Sequence, residues 1–305
     1  MAALSLDYSA NLLTFKTMFI SIFLEALPFI LMGVFFSALL QMFVSEQLIA
    51  RIIPKNPILG MLCASLLGII FPICECGMIP VIRRLISKGM PVYIAVIFIL
   101  SGPILNPIVF FATYTAFRSR PEVIYSRMGL ALIASLVIGM LVYRFIRYNP
   151  LRLSAETMYG DQNVETTHQR VGERFTSFFM HMINEFFEMS KYLIFGAFVT
   201  ALIHTFVNTS QLLAYGQGTI NSHLFMAGFA YVLSICSTSD AFVASSFVNT
   251  FSTGSLITFL VLGPMLDFKS TLMLLSVFKT KFVIRLSTMI IITVLVLSIG
   301  LDFLF

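Results

Sequence analysis

The sequence predicts an all-α polytopic membrane protein built from two inverted-topology repeats, with broken helices and short half-spanning helices. Of its 305 residues, 58% are hydrophobic and 11% are charged, and the mean hydropathy is +0.96. Soluble domains have roughly 45–50% apolar and about 25% charged residues, so a soluble fold is excluded. Several apolar stretches are long enough to cross a bilayer, and the chain aligns with itself at a near-constant offset.

Four stretches provide the roughly 20 apolar residues that a bilayer-crossing helix needs. They are residues 12–44, 128–145, 189–207 and 282–305. Residues 57–73 and 224–235 are apolar but short. Residues 91–117 and 255–278 are long enough, but they contain Pro103 and Pro264. A proline inside a helix removes a backbone hydrogen bond, so we expect both helices to break near their middles.

The chain contains an internal repeat. The segment "EALPFILMGVFFSALLQMFV" from Glu25 aligns with "EMSKYLIFGAFVTALIHTFV" from Glu188 at an offset of 163 residues. Cys74 aligns with Cys236, and "GPILN" ending at Asn106 aligns with "GPMLD" ending at Asp267. The predicted domains are a first transmembrane repeat at 1–147, a polar cytoplasmic linker at 148–174 and a second transmembrane repeat at 175–305.

The basic residues predict how the repeats are oriented. If residues 75–87 and 237–249 enter the membrane as short helices, nearly all basic groups fall on one side, which is then cytoplasmic. Arg118, Arg120 and Arg127 are the exceptions. An arrangement with four crossings in each half leaves more basic groups on the wrong side. We therefore favour an inverted repeat, a plan that places the substrate site near the midplane, where the repeats meet.

The segment "ICECGMIP", residues 73–80, places two thiols and a carboxylate inside an apolar chain. The proline before it and the glycine within it favour an opened backbone, in which Cys74 and Cys76 can face the same space. Thiolates prefer soft partners such as Cu(I), Zn(II) or trivalent arsenic, and Glu75 can take up the released proton. The alternative is that both cysteines are small residues that ease close helix packing.

The second half carries "SICSTSDAFVASSF" at residues 234–247, which includes Cys236 and Asp240. Hydroxyl groups at the start of a half-helix can bind an ion, and small residues there can equally serve helix packing. Asn106 and Asp267 lie beside the two predicted breaks, where polar groups can line a cavity. A structural role as a helix cap is an equal alternative for Asp267.

Three segments resemble one known family. They are "CECGMIPVIRRLISKGMPVYIAVIFILSGPILNP" at residues 74–107, "CSTSDAFVASSF" and "LGPMLDFKSTLML". The resemblance is to the bacterial predicted-permease family of the UPF0718 type, whose relatives include exporters of trivalent organoarsenicals, and it covers nearly the whole chain. It implies a polytopic inner-membrane permease, often encoded with a second membrane-associated protein. Cys76-Gly77 and Ile79-Pro80 match the exporters' motif, whereas Glu75 and "SGPILNP" depart from it, so arsenic specificity is not carried over.

The predicted function is that of an inner-membrane permease, a secondary transporter. It moves a small, thiol-reactive or soft metal- or metalloid-containing substrate through a site at the repeat interface. The predicted substrate-binding residues are Cys74, Glu75, Cys76, Asn106, Cys236, Asp240 and Asp267. Cys74, Cys76 and Cys236 are also candidate metal ligands. A proton or ion gradient supplies the energy, with Glu75 or Asp240 as the protonatable group.

The expected partners are the lipid bilayer, a small-molecule or ion substrate and a second membrane-associated protein. No cofactor is expected. The sequence lacks a phosphate-binding loop of the G-x-x-x-x-G-K-[ST] kind, so ATP could enter only through a partner. Nucleic acid is excluded, because the basic residues form no continuous stripe. A non-transporting subunit that acts with a partner is the alternative function. An intramembrane enzyme is less favoured, since the histidines are scattered and no H-E-x-x-H motif occurs.

The predicted topology can be tested with single cysteines at Ser5, Gln162 and Ser210 in a background without native cysteines. Because both termini are predicted outside and residues 148–174 inside, an impermeant maleimide added to whole cells should label the first and third positions. Permeabilised cells, in which all three positions should react, provide the control. Labelling at Gln162 alone would refute the orientation.

Overall fold

The computed structural model describes residues 2–43, 56–70, 74–146, 148, 150–152, 171–206, 218–248 and 250–303, which are almost entirely helical. The helices in these ranges are α1 Ala2–Phe43, α2 Pro57–Ile70, α3 Glu75–Ser87, α4 Val92–Leu105, α5 Pro107–Ala116, α6 Pro121–Phe145, α7 Val171–Phe206, α8 Thr219–Leu233, α9 Ser239–Ser245, α10 Thr253–Met265, α11 Phe268–Val277 and α12 Thr280–Asp302. These ranges contain no strand, and one isolated bridge joins Leu151 to Phe278. The all-α fold class is therefore confirmed.

Six helical segments of the described chain are long and apolar enough to cross a membrane. They are Leu12–Leu40, Val92–Ala116, Pro121–Phe145, Met182–Ile203, Thr253–Val277 and Thr280–Asp302. The second comprises α4 and α5, and the fifth comprises α10 and α11. Two shorter apolar segments, Pro57–Ile69 and Ile220–Leu233, belong to α2 and α8. The predicted set of four continuous spans, two interrupted spans and two short segments is recovered, and the polytopic membrane architecture is confirmed.

The order of helices is the same in the two halves of the chain. A long helix is followed by a short apolar helix, a half-length helix, a broken span and a full span, first in α1–α6 and again in α7–α12. Helix α3 has the predicted bounds, 75–87, whereas α9 covers only the seven residues 239–245 of the predicted 237–249. Most of the linker predicted at 148–174 lies outside the described residues. The opposite orientation of the two halves stays a prediction.

The two broken spans form the centre of the protein. Within an 18-residue apolar stretch of each span, 72% of the residues are buried in α4 and α5 and 78% in α10 and α11. The corresponding share in the other four spans is 22–39%. Helix α4 packs against α2, α6 and α10, and α10 packs against α8, α12, α4 and α6. The interruptions therefore lie inside the protein, where neighbouring helices can satisfy the freed backbone groups.

Both spans break near their middles, as predicted, at positions three residues after the prolines. Pro103 and Pro264 lie within the last turns of α4 and α10. The backbone becomes extended only at Asn106, with φ −76° and ψ 152°, and at Asp267, with φ −123° and ψ 171°. A proline in the last turn removes only its own hydrogen bond, so the helix continues past it. In the first half Pro107 ends the helix, because the residue before a proline is disfavoured in the α conformation.

Asn106 and Asp267 start the second segment of each broken span. The Asn106 side chain accepts a hydrogen bond from the Val109 amide at 2.9 Å, and Asp267 accepts one from the Ser270 amide at 2.5 Å. Asparagine and aspartate are preferred at this position because their oxygens satisfy an amide that the first helical turn leaves without a partner. Asn106 and Asp267, which align in the repeat, thus cap the equivalent helix in each half.

Helix α3 is held against α1 by a contact between two glycines. A Cβ added to Gly33 would lie 2.5 Å from the Gly77 Cα, so only glycine allows this approach of the two backbones. The sequence predicts that Gly77 opens the backbone. This prediction is wrong, because Gly77 lies in the first turn of α3. The opening lies before α3, at Cys74. Pro72, the other residue predicted to open it, is outside the described part of the chain.

Candidate functional site

A small cavity lies where elements from both halves of the chain meet. The centre of a water molecule can occupy about 20 Å³ of it, which is enough for one or two waters. Helix α1, the start of α3, the turn between α8 and α9, and α11 enclose it. The lining residues are Ile22, Glu25, Ala26, Phe29, Cys74, Glu75, Cys76, Ser234, Ile235, Cys236 and Lys269. Three thiols, two carboxylates and one ammonium group therefore share one cavity.

The two aligned cysteines have the same local structure. The Cys74 carbonyl accepts hydrogen bonds from the amides three and four residues later, both at 3.1 Å, where α3 begins. The Cys236 carbonyl accepts equivalent bonds from Ser239 and Asp240, at 2.9 and 3.0 Å, where α9 begins. Each cysteine thus lies at the point where non-helical backbone becomes a short helix. This placement leaves both side chains on the cavity wall.

The turn that carries Cys236 has a reversed backbone conformation. Helix α8 ends at Leu233, and Ser234 follows in the left-handed region, with φ 47° and ψ 41°. That conformation costs a non-glycine residue free energy and persists only where the surrounding structure fixes it. Here the Ser234 hydroxyl accepts a bond from the Phe268 amide at 3.2 Å, and the Ser234 carbonyl accepts one from Lys269 at 3.4 Å. The start of α11 therefore fixes this side of the cavity.

Glu75 is a buried carboxylate with incomplete hydrogen bonding. Its residue is 4% exposed, and its Oε2 atom has no hydrogen-bond partner within the described structure. The charged groups that interact with it are Lys269, Asp267 and Glu25. The Lys269 ammonium lies 3.9 Å from Asp267 Oδ2, so one cation is placed among several carboxylates. A buried charge needs a partner, and carboxyl groups outnumber ammonium groups among the described residues around Glu75.

The other predicted site residues lie outside this cavity. Asn106 and Asp267 are buried caps of α5 and α11, and Asp267 reaches the cavity only through Lys269. The Asp240 carboxylate is bound by Arg127, with its two oxygens at 3.0 and 2.8 Å from Arg127 Nη2. The structure therefore brings together Cys74, Glu75, Cys76 and Cys236, and it separates Asn106, Asp240 and Asp267 from them.

Four polar or charged residues of this region are absent from the predicted site. Lys269 and Glu25 line the cavity, and their position as charges within apolar segments was the available signal. Arg127 was counted among the loop charges that set the membrane orientation, because such a count does not separate buried arginines from loop arginines. No sequence signal identifies Ser234 as a cavity residue, since its left-handed conformation depends on contacts with α11.

A second polar cluster lies toward the other end of α3. Arg83 Nη1 is 2.9 Å from Glu188 Oε2 of α7, and the Ser37 hydroxyl of α1 donates to Glu185 Oε2 at 2.9 Å. Arg83 is 3% exposed, so this basic residue is buried between helices and does not lie in a surface loop. The cluster joins α1, α3 and α7 away from the residues that line the cavity.

No metal site is formed by the described residues. Within them, no group of three or more His, Cys, Asp or Glu side chains is placed to hold a metal ion. All four cysteines are unbridged thiols, and Cys63, unlike the other three, is exposed. A role for Cys74, Cys76 and Cys236 as metal ligands stays a prediction.

The chain has clear sequence relatives. Residues 11–303 match a protein-family model whose description is "Predicted permease". The UPF0718 protein YcgR of Bacillus subtilis is 49% identical over 286 residues, which cover 94% of this chain and 96% of that protein. A Streptococcus mutans protein, whose name describes a two-component membrane permease complex subunit, is 34% identical over 276 residues, covering 90% of this chain and 91% of that protein. No solved structure matches the chain.

The shared cavity predicts that a thiol-to-thiol linker will join Cys74 to Cys236. The test uses a chain that lacks Cys63 and Cys76 and is cut between its halves. Because both thiols line the same space, a linker of up to about 15 Å should convert the two fragments into one band on a denaturing gel. A matched chain with Cys63 and Cys236 as its two thiols should give no such band, since Cys63 is exposed outside the cavity. If no linker joins Cys74 to Cys236, the packing interpretation of these cysteines is correct.

Proposed function

Since the chain belongs to the predicted-permease family, we propose that it is a multi-pass secondary transporter of the bacterial cytoplasmic membrane. Its substrate is a small molecule or ion that passes through the cavity between Cys74 and Cys236. One observation carries this proposal. Non-helical backbone from each half meets at a buried, charged cavity, and transporters build their midplane sites in this way from interrupted helices.

The packing of the halves agrees with two repeats related by a pseudo-twofold axis, and the distribution of basic residues favours the inverted form of such a repeat. Helix α3 of the first half packs on α11 of the second, and the equivalent helix α9 of the second half packs on α5 of the first. The equivalent pairs α1 with α7, α4 with α10 and α6 with α12 also pack on each other. A pseudo-twofold axis between the halves generates such reciprocal pairs. Alternating access then consists of one half moving against the other around the cavity.

The lining chemistry supports a soft or thiol-reactive substrate. Cys74, Cys76 and Cys236 provide three sulfur atoms, and soft ligands of this kind favour Cu(I), Zn(II) or trivalent metalloids. The charged lining residues are Glu25, Glu75 and Lys269. Asn106 and Asp267 contribute by fixing the helix breaks, and Asp240 contributes by fixing the turn after Cys236.

Glu75 is the protonatable group that couples transport to an ion gradient. Both sequence candidates, Glu75 and Asp240, are buried, but the Asp240 oxygens are engaged by Arg127, whereas Glu75 Oε2 has no hydrogen-bond partner and lines the cavity. A proton or a cationic substrate on Glu75 balances the negative charge near Lys269. Exchange of one for the other links substrate movement to proton movement.

The second candidate function is that of a subunit that does not transport alone. The printed name of the Streptococcus mutans relative favours it, because that name describes a component of a two-component complex. In this case a second membrane-associated protein completes or drives the permease. Neither candidate is an enzyme, and the family description of a permease supports that view.

Uptake by membrane vesicles tests the transporter directly. Vesicles that contain the wild-type chain should accumulate at least one of Cu(I), Zn(II) or trivalent arsenic, measured by elemental analysis, above the level in vesicles without the chain. A Cys74→Ser/Cys76→Ser variant should lose this accumulation because the sulfur ligands are gone.

The control is Cys63→Ser, which removes an exposed thiol outside the cavity and should transport like the wild type. Equal accumulation by the double variant and the wild type would remove the thiols from the site. Accumulation that requires co-expression of a second protein would favour the subunit function instead.

A further inference from the structure

Arg127 is a buried cation whose position the topology rule does not explain. It is 0% exposed and lies six positions after the start of α6, about 9 Å along the helix axis from its first residue. Basic residues that orient a membrane protein lie in surface loops. A cation buried in an apolar interior persists where several acceptors surround it, so its contacts indicate its role.

The Arg127 guanidinium joins three segments of the chain. Nη1 donates to the Thr113 hydroxyl of α5 at 2.9 Å. Nη2 donates to the Ser237 carbonyl at 3.0 Å and to both oxygens of Asp240, at 3.0 and 2.8 Å. The first-half helices α5 and α6 are thereby connected to the second-half turn that follows Cys236.

This connection acts on the residues next to the Cys236 thiol. Ser237 follows Cys236 directly, and the Asp240 amide donates to the Cys236 carbonyl at 3.0 Å. Arg127 therefore binds this segment at two points, one just before α9 and one within its first turn. A helix of seven residues is not stable by itself, so the position of α9 depends on contacts of this kind.

The equivalent cysteine in the first half does not depend on Arg127. Cys74 precedes the thirteen-residue helix α3, which is fixed to α1 by the contact between Gly33 and Gly77. The two thiols on opposite sides of the cavity are thus held by different interactions. A change at Arg127 should move one of them and leave the other in place.

We propose that Arg127 is a positioning residue, which fixes the turn from Cys236 to Asp240 and so sets the distance between the thiols across the cavity. This proposal rests on the transport site proposed above for its biological meaning. The geometry that it concerns can be measured without any substrate.

The test compares the reactivity of single thiols in the purified full-length chain. One form retains only Cys236 and the other retains only Cys74, and each is made with and without Arg127→Gln. Loss of the guanidinium should raise the rate of Cys236 modification by N-ethylmaleimide by about tenfold, because local opening and exposure control the reactivity of a buried thiol. The rate at Cys74 should stay within about twofold, because its segment keeps its own contacts.

Two further variants distinguish positioning from general loosening. Arg83→Gln removes another buried arginine, the partner of Glu188, and should leave the Cys236 rate unchanged. Arg127→Lys keeps the positive charge beside Asp240 but loses the fork that reaches three acceptors, so it should raise the Cys236 rate by a smaller factor. If Arg127→Gln does not fold, Arg127→Lys provides the same comparison between the two thiols.

An equal increase at Cys74 and Cys236 would overturn the proposal, because it would show a general loss of packing. An unchanged Cys236 rate in both Arg127 variants would overturn it as well. A selective increase at Cys236 would support the positioning role even if vesicles accumulate none of the tested ions. That last combination would count against the transport function and leave the positioning role intact.

Discussion

The structure depends on one constraint, which is that backbone polar groups inside an apolar slab must find their partners within the protein. Each half of the chain interrupts its helices twice near the centre, before the half-length helix and within the broken span. The resulting amides are satisfied locally, by the carbonyls of Cys74 and Cys236 and by the side chains of Asn106 and Asp267. The interruptions are thereby tolerated, and they leave space for a cavity where unbroken helices would pack closely.

Buried charge is the second feature that shapes the interior, and it joins the two halves. Arg127 with Asp240 and Arg83 with Glu188 each connect the first half to the second. For the buried pair of Arg127 and Asp240, removing one partner costs about 3–5 kcal/mol, because the other charge is left without compensation; Glu188 is partly exposed, so the second pair contributes less. These two pairs are balanced, whereas the cavity holds Glu75 and Glu25 near a single ammonium group that also interacts with Asp267. The paired charges link the two halves of the fold, and the less evenly matched charges at the cavity are the basis of the proposed proton and substrate site.

Much of this arrangement could be predicted from the sequence, because it follows from composition and local pattern. Hydropathy predicted the spans, and the distribution of basic residues predicted the short helix at residues 75–87. The internal repeat and the positions of proline and glycine predicted that Cys74 and Cys236 share one environment. The partner of Arg127 could not be predicted, because Asp240 is 113 residues away and nothing local distinguishes a buried arginine from a loop arginine. The spans break near their middles as predicted, but the exact residue could not be predicted, because the cap residues and Pro107, and not the buried prolines, determine where the backbone turns. The position of Lys269 in the cavity could not be predicted either, because Lys269 donates a hydrogen bond to the carbonyl of Ser234, a left-handed residue between α8 and α9.

We propose that the cavity beside Glu75 couples substrate movement to proton movement. Uptake into liposomes that contain only the purified chain tests this coupling most directly. The comparison is between the wild type and Glu75→Gln, with an imposed pH gradient and the ion that vesicles accumulate. We expect the wild type to concentrate the ion in response to the gradient. Glu75→Gln should exchange the ion between the two sides but should not concentrate it, because the glutamine side chain cannot carry the coupling proton. Accumulation by Glu75→Gln at the wild-type rate would contradict the account.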